Sequence, residues 1–262
     1  MDFIQALLLG LVQGFTEFLP VSSSGHLVLM QQAMGLEDVP IFFDTMLHLG
    51  TLVAVVAVLF RDIAGIFRHP VKNHLGMLVI ATIPAAAAGY FFNDFFESAF
   101  KGGQYLGICF LVTALILVVS EQIAARLKTR KRMAVQNALA MGLMQAVAIF
   151  PGISRSGSTI AGGLFTGVDR TQAAKFSFLM SIPIILGSVG ASGVDAMQTG
   201  MGNVSLTAVL IGTAAAAVTG YFAIKFMLAF IQKAKLYGFA VYTAALGAFL
   251  MVDQSILHIV FT

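Results

Sequence analysis

Charge is what this sequence has least of. Lys, Arg, Asp and Glu together make up 10% of its 262 residues, against about 25% in ordinary soluble domains. So few ionic groups cannot furnish the water-facing surface of a globule, which excludes a soluble enzyme, a disordered protein and a nucleic-acid binder. Cysteine is almost absent as well. The single Cys109 rules out a disulfide framework and any cysteine-based metal cluster, and it reads as a small buried apolar residue. The N-terminus has no basic leader and no A-x-A site before its apolar run continues, so no cleavable signal peptide is expected. The alternating ~10-residue segments of a β-barrel are missing too. What the chain does have is hydrocarbon: 58% of its residues are hydrophobic, and the mean hydropathy is +0.92. It reads as an all-α polytopic membrane protein.

Stretches free of Asp, Glu, Lys and Arg at 45–60, 73–93, 102–120, 176–194, 196–224 and 236–252 predict six transmembrane helices, roughly at 42–60, 75–92, 104–120, 174–191, 204–222 and 236–252, most of them near the ~20 residues a bilayer crossing needs. Two further apolar stretches are interrupted. Phe3 to Leu19 stops at Pro20, and a short segment, Leu27 to Leu36, follows a Ser/Gly break. Met133 to Phe150 stops at Pro151, and Thr159 to Val168 follows a second such break. Proline ends a helix and glycine permits a tight reversal, so both are read as re-entrant helix–loop–helix hairpins. With the N-terminus outside, this arrangement puts 13 of the 15 basic residues on the inner side, as the positive-inside rule requires.

The chain also resembles itself. Gly10-Leu11-Val12-Gln13 aligns with Gly142-Leu143-Met144-Gln145, Pro20 to Gly25 with Pro151 to Gly157, and Thr82…Gly89-Tyr90-Phe91 with Thr213…Gly220-Tyr221-Phe222, at an offset of 131 or 132 throughout. The expected organisation is a first repeat over 1–121, a basic cytoplasmic connector over 122–136 and a second repeat over 137–262. Each repeat holds one hairpin and three spans, so the second enters from the opposite face. In such inverted-topology repeats the working site lies near the midplane, where half-helix N-termini aim free N–H groups at anions. Those N-termini are expected just after Ser24-Gly25 and Ser156-Gly157.

Chemistry concentrates in the hairpins. Gln13 and Glu17 share one helix face at i and i+4, and an intramembrane carboxylate is costly enough to be a functional candidate. Ser22, Ser23, Ser24 and His26 beside it supply a nucleophile and a proton carrier. In the second hairpin Arg155 stands alone between Arg132 and Arg170 among Ser154, Ser156, Ser158 and Thr159. A guanidinium cannot shed its charge, so it needs an anionic partner: Glu17 or, favoured by the adjoining hydroxyls and glycines, a phosphate. Asp44 and His48 could line a cavity but read better as interface anchors. His69, His74 and His258 lie near span ends without metal-ligand spacing. The 13 methionines and 23 phenylalanines are read as packing and lipid-facing residues.

The string Gln13-x-x-x-Glu17-Phe18-Leu19-Pro20-Val21-Ser22-Ser23-Ser24-Gly25-His26, with Pro151-Gly152-Ile153-Ser154-Arg155-Ser156-Gly157, is similar to the two signatures of the bacitracin-resistance-type undecaprenyl-diphosphate phosphatases. Gln13 stands where that pattern allows Glu or Gln, so Glu17 alone carries the acid role. The resemblance implies a multi-pass enzyme of the bacterial cytoplasmic (inner) membrane whose active site opens to the outer, periplasmic face. It hydrolyses undecaprenyl diphosphate to undecaprenyl phosphate and inorganic phosphate, recycling the lipid carrier for cell-wall synthesis and giving bacitracin resistance. It implies catalytic roles for Glu17, Ser23, His26 and Arg155, with Ser23 or His26 as nucleophile. Gln13, Ser22, Ser24, Ser154, Ser156 and Thr159 would bind substrate. The cofactor implied is Mg²⁺ or Ca²⁺, with Glu17 the side chain available to a metal. Expected partners are the polyprenyl diphosphate lipid and membrane lipids, with homo-oligomer formation left open and no nucleic acid. The rival reading is a transporter or flippase for a polyprenyl-phosphate lipid that uses the same midplane site. Acid-phosphatase-like lipid phosphatases fail as a match, because the next histidine after Arg155 is His258.

Overall fold

The computed structural model describes residues 1–36, 39–68, 75–92, 103–127, 133–199, 204–257 and 259–261. His69, His74, His258, the loop charges Glu37, Asp38, Lys72, Asp94, Glu97 and Lys101, and connector residues 128–132 lie outside the described residues. Those described form eleven α-helices and no β-strand. They are α1 (Phe3–Glu17), α2 (Ser23–Ala33), α3 (Ile41–Val58), α4 (Phe60–Arg68), α5 (Leu75–Phe91), α6 (Leu106–Arg126), α7 (Val135–Val147), α8 (Arg155–Phe165), α9 (Arg170–Thr199), α10 (Leu206–Lys233) and α11 (Tyr237–Val252).

Five helices are long and apolar enough to cross a membrane: α3, α6, α9 up to Val194, α10, and α11 extended to Ile256. Only 28–44% of each crossing window is buried within the protein. The outward remainder is apolar, as at Val53, Leu115, Leu186, Phe222 and Val241, and suits lipid rather than water. This is a multi-pass membrane protein. The predicted span at 75–92 is α5, whose 17 residues extend about 26 Å, slightly less than the ~30 Å hydrocarbon core. The stretch predicted at 204–222 continues as helix to Lys233. A lysine marks where a membrane ends, but it has good helix propensity and does not end a helix.

Both interrupted stretches are broken helices. α1 starts on a capping box in which Asp2 and Gln5 exchange bonds of 2.8 Å, and it stops before Pro20. Ser22 caps α2 and Ser154 caps α8, each accepting the N–H of the glycine three residues on. The half-helices therefore begin at Ser23 and Arg155, before the expected Ser24-Gly25 and Ser156-Gly157 boundaries. Gly25 and Gly157 sit inside the first turns, where they keep space. A Cβ on Gly25 would lie 2.7 Å from Phe110 and 3.0 Å from Gly152, so the two elbows abut only because glycine is there.

Each broken helix packs closely on a distant span. α1 lies against α10, where a Cβ on Gly10 would strike the Gly212 carbonyl. α7 lies against α5, where a Cβ on Gly142 would strike the Ala81 carbonyl. α6 and α11 cross at Gly107 and Gly247. Such small-residue seams let backbones approach without a hydrophobic drive between helices. Beneath the elbows, Phe18 meets Phe178 edge-on with ring centroids 5.2 Å apart, inside a cluster that includes Leu117, Met141 and Ile160. Away from the elbows, fully buried Glu121 accepts both guanidinium nitrogens of Arg170 and the backbone N–H of Leu236, tying α6 to the starts of α9 and α11.

Candidate active site

Where the two elbows meet, they bond to each other. Ser156 donates to the Leu19 carbonyl at 2.8 Å, and the Gly152 N–H donates to Ser22 Oγ at 3.1 Å. Ser22 is the one non-glycine residue with positive φ (69°) among those described. Its hydroxyl also caps α2, so the unfavourable backbone geometry is held from both elbows. The Ser154 N–H donates to Thr113 Oγ1 at 3.0 Å and Thr113 donates to the Gly152 carbonyl at 2.7 Å, so α6 fixes the second elbow.

Above the junction is a cavity of about 340 Å³ lined by Glu17, Ser22, Ser23, Ser24, Ser154 and Arg155 from the elbows, by Asp44, Thr45 and His48 from α3, and by Ser181 and Ser188 from α9. Glu17 is 6% exposed. Its Oε1 accepts from Arg155, and its Oε2 accepts from Ser23 Oγ at 2.5 Å and from Gln13 Nε2 at 2.9 Å. An ionised carboxylate is tolerable here because a guanidinium and two neutral donors surround it. Arg155 also makes a long contact of 3.5 Å to the Ser177 carbonyl. Five N–H donors belong to a guanidinium, so its cavity-facing edge still has some to offer an anion. The N-termini of α2 and α8 open on the same space, adding partial positive charge.

The predicted residues thus fall into three positions. Glu17, Ser22, Ser23, Ser24, Ser154 and Arg155 share the cavity wall. Gln13, Ser156 and Thr159 are buried behind it: Gln13 steadies Glu17, and Thr159 bonds the Arg155 carbonyl at 2.8 Å and Ser177 Oγ at 2.6 Å. His26 is turned away from the cavity. Its Nδ1 lies 2.7 Å from the Ser22 carbonyl and its Nε2 lies 2.7 Å from Tyr242 Oη, with its ring stacked on Tyr242 and edge-on to Phe110. Since a carbonyl only accepts, Nδ1 is the donor there and Tyr242 donates to Nε2.

Asp44 and His48, read from sequence as interface anchors, line the cavity instead. Asp44 takes both its bonds from Gln31, at 2.9 and 3.1 Å. His48 Nε2 is 3.7 Å from Glu17 Oε2. Their i, i+4 spacing on an otherwise uncharged helix is the pattern that marked Gln13 and Glu17. Among the described residues no three His, Cys, Asp or Glu side chains converge as a cation cage. Arg155, Ser23 and Gln13 fill three of the roughly four acceptor positions of the Glu17 carboxylate, leaving about one for Mg²⁺ or Ca²⁺.

α9 separates this chamber from a second space. Its Ser181, Ile184, Ile185 and Ser188 face the cavity, while Leu179, Ile182, Pro183 and Leu186 line an apolar groove of about 370 Å³ against α4 and α5.

Fold and site together define a multi-pass helical membrane protein with an ion-paired, hydroxyl-rich chamber sunk among its helices. The chain belongs to the bacitracin resistance protein BacA family, whose model matches residues 6–249. It is 44% identical over 258 residues to an undecaprenyl-diphosphatase of Carboxydothermus hydrogenoformans, covering 97% of this chain and 98% of that one. It is 41% identical over 254 residues to the undecaprenyl-diphosphatase of Halothermothrix orenii (96% and 98% covered), and 39% identical over 254 residues to undecaprenyl-diphosphatase 3 of Bacillus cereus (97% and 98% covered).

Proposed function

We propose that the protein is an undecaprenyl-diphosphate phosphatase, releasing undecaprenyl phosphate and inorganic phosphate. The observation that carries this is the Ser23 hydroxyl, bonded at 2.5 Å to a carboxylate that Arg155 of the opposite elbow holds, on the wall of one cavity. Moving a lipid needs no nucleophile, so this pair favours hydrolysis over a transporter or flippase. The terminal phosphoryl group enters between the elbows, and Arg155 with the N-termini of α2 and α8 neutralises its oxygens. Ser23 Oγ attacks the terminal phosphorus as Glu17 takes its proton. The bridging P–O bond breaks, and undecaprenyl phosphate leaves with the bonding pair. Water then cleaves the phosphoserine. His26 holds the first elbow to α11 as a positioning residue. A divalent cation would come with the diphosphate, held by its oxygens and by water.

In this reading the two halves, 1–121 and 137–262 about a cytoplasmic connector, form an inverted repeat of three spans and one re-entrant hairpin each, α5 counting as the sixth span. The packing supports it. Gly10 against Gly212 and Gly142 against Ala81 are the same contact displaced by the 131–132 residue offset of the sequence repeat. The protein sits in the bacterial inner membrane with its chamber open to the periplasmic face, and the carrier lipid it regenerates underlies bacitracin resistance.

The test is phosphate release from undecaprenyl diphosphate by purified protein in detergent, where no gradient exists. Wild type turns over; Ser23→Ala and Glu17→Ala, shown folded by melting, lose at least about 100-fold. No release by wild type, or unchanged turnover in both variants, overturns the assignment.

A further inference from the structure

We infer that His48 is the base of the second half-reaction, taking the proton of the water that hydrolyses the phosphoserine at Ser23. The inference rests on the phosphatase reading and adds a residue to it.

The tautomer of His48 follows from its bonds. Nδ1 lies 2.8 Å from the backbone carbonyl of Asp44, which can only accept, so the neutral ring keeps its proton on Nδ1 and a lone pair on Nε2. Nε2 faces the chamber, 3.7 Å from the same Glu17 Oε2 that accepts from Ser23 Oγ at 2.5 Å. The imidazole nitrogen and the serine oxygen are therefore at most about 6 Å apart, which leaves Nε2 within reach of a water that attacks phosphorus from the side opposite Oγ. The side chain is 29% exposed, so water reaches it.

A second base is needed because Glu17 is committed. It holds the proton taken from Ser23 and must return it to Oγ when the phosphoserine breaks. Among the described residues, the remaining charged groups facing the chamber are Asp44, whose two oxygens share the Gln31 amide away from Ser23, and Arg155, which is never a base. His26 has both ring nitrogens occupied elsewhere. In the step itself, water oxygen bonds to phosphorus, its proton moves to His48 Nε2, and the P–Oγ bond breaks. Oγ recovers its proton from Glu17, and inorganic phosphate departs. The imidazolium then faces the regenerated carboxylate as an ion pair and loses its proton to chamber water.

The test is rapid mixing of undecaprenyl diphosphate with wild type, His48→Gln and His48→Ala. Both variants are expected to release about one equivalent of undecaprenyl phosphate at near wild-type rate and then stall, with steady turnover down by about 10²–10⁴-fold. Phosphate should accumulate on Ser23, seen by peptide mass spectrometry, and added imidazole should restore turnover to His48→Ala. His48 has no such role if the variants match wild type in turnover and pH profile, or if their first turnover slows without phosphorylated Ser23. Failure of wild type to release phosphate would instead sink the phosphatase reading, so the two failures are separable.

Discussion

At the scale of single residues, the Glu17–Arg155 pair binds both halves of the site. Each charge is tolerable away from water only because the other is there, so removing one strands its partner. Glu17→Gln and Arg155→Gln are each expected to destabilise the detergent-solubilised protein by about 3–5 kcal/mol. The double variant should melt closer to wild type than either single one, although all three are inactive; equal or additive losses would show that the pair does not act as a unit. Both residues were legible in the sequence because each is a lone charge in a long apolar stretch. Asp44 and His48 carried the same signal, yet they head a span, where an interface role explains them equally well. Only the packing of α3 against α9 decides that this face looks into the chamber. His26 is the converse case. Adjacency in the string Ser-Gly-His placed it with the serines, but one more turn of α2 points it at Tyr242 of α11, a partner no local pattern announces.

At the scale of elements, the seams between helices are set by glycine. Gly10→Val would drive a side chain into a backbone carbonyl that cannot rotate away. It should lower stability by about 1–3 kcal/mol or more, as should Gly142→Val at the matching seam. Gly89→Val, with nothing within 4 Å of its Cβ position, should melt within about 0.5 kcal/mol of wild type. Thermal melting of the three variants checks this, and equal shifts in all three would refute it. The breaks at Pro20 and Pro151 were readable because proline cannot continue a helix. The helix starts were displaced because the serines before the glycines do the capping, while the glycines provide clearance. α4 carries no legible signal in the sequence, because its nine residues leave too short a pattern beside the span that precedes it.

At the scale of the whole molecule, the two halves interlock rather than stand side by side. α1 rests on α10 and α7 on α5, so neither half buries its own seams. Expressed alone, 1–130 or 131–262 should fail to accumulate as folded protein. Expressed together, they should copurify and recover phosphatase activity, since the division falls in the connector. Folding of either half alone, judged by gel filtration and melting in detergent, would argue against the interlock. The sequence shows a near-constant offset between similar strings in the two halves. Which helix of one half meets which of the other was not legible, because such an offset says nothing of contact.

The position of α9 has a consequence for any long-chain lipid that uses the chamber. With hydroxyls on one side of the helix and bare hydrocarbon on the other, a headgroup held in the chamber and a tail kept among hydrocarbon would each meet the surroundings that suit it. Pulling such a tail into water would cost about 0.8 kcal/mol for every methylene, a sum no single binding site could repay. A lipid that uses the chamber would therefore react at a shoreline, wading in only as far as its phosphates.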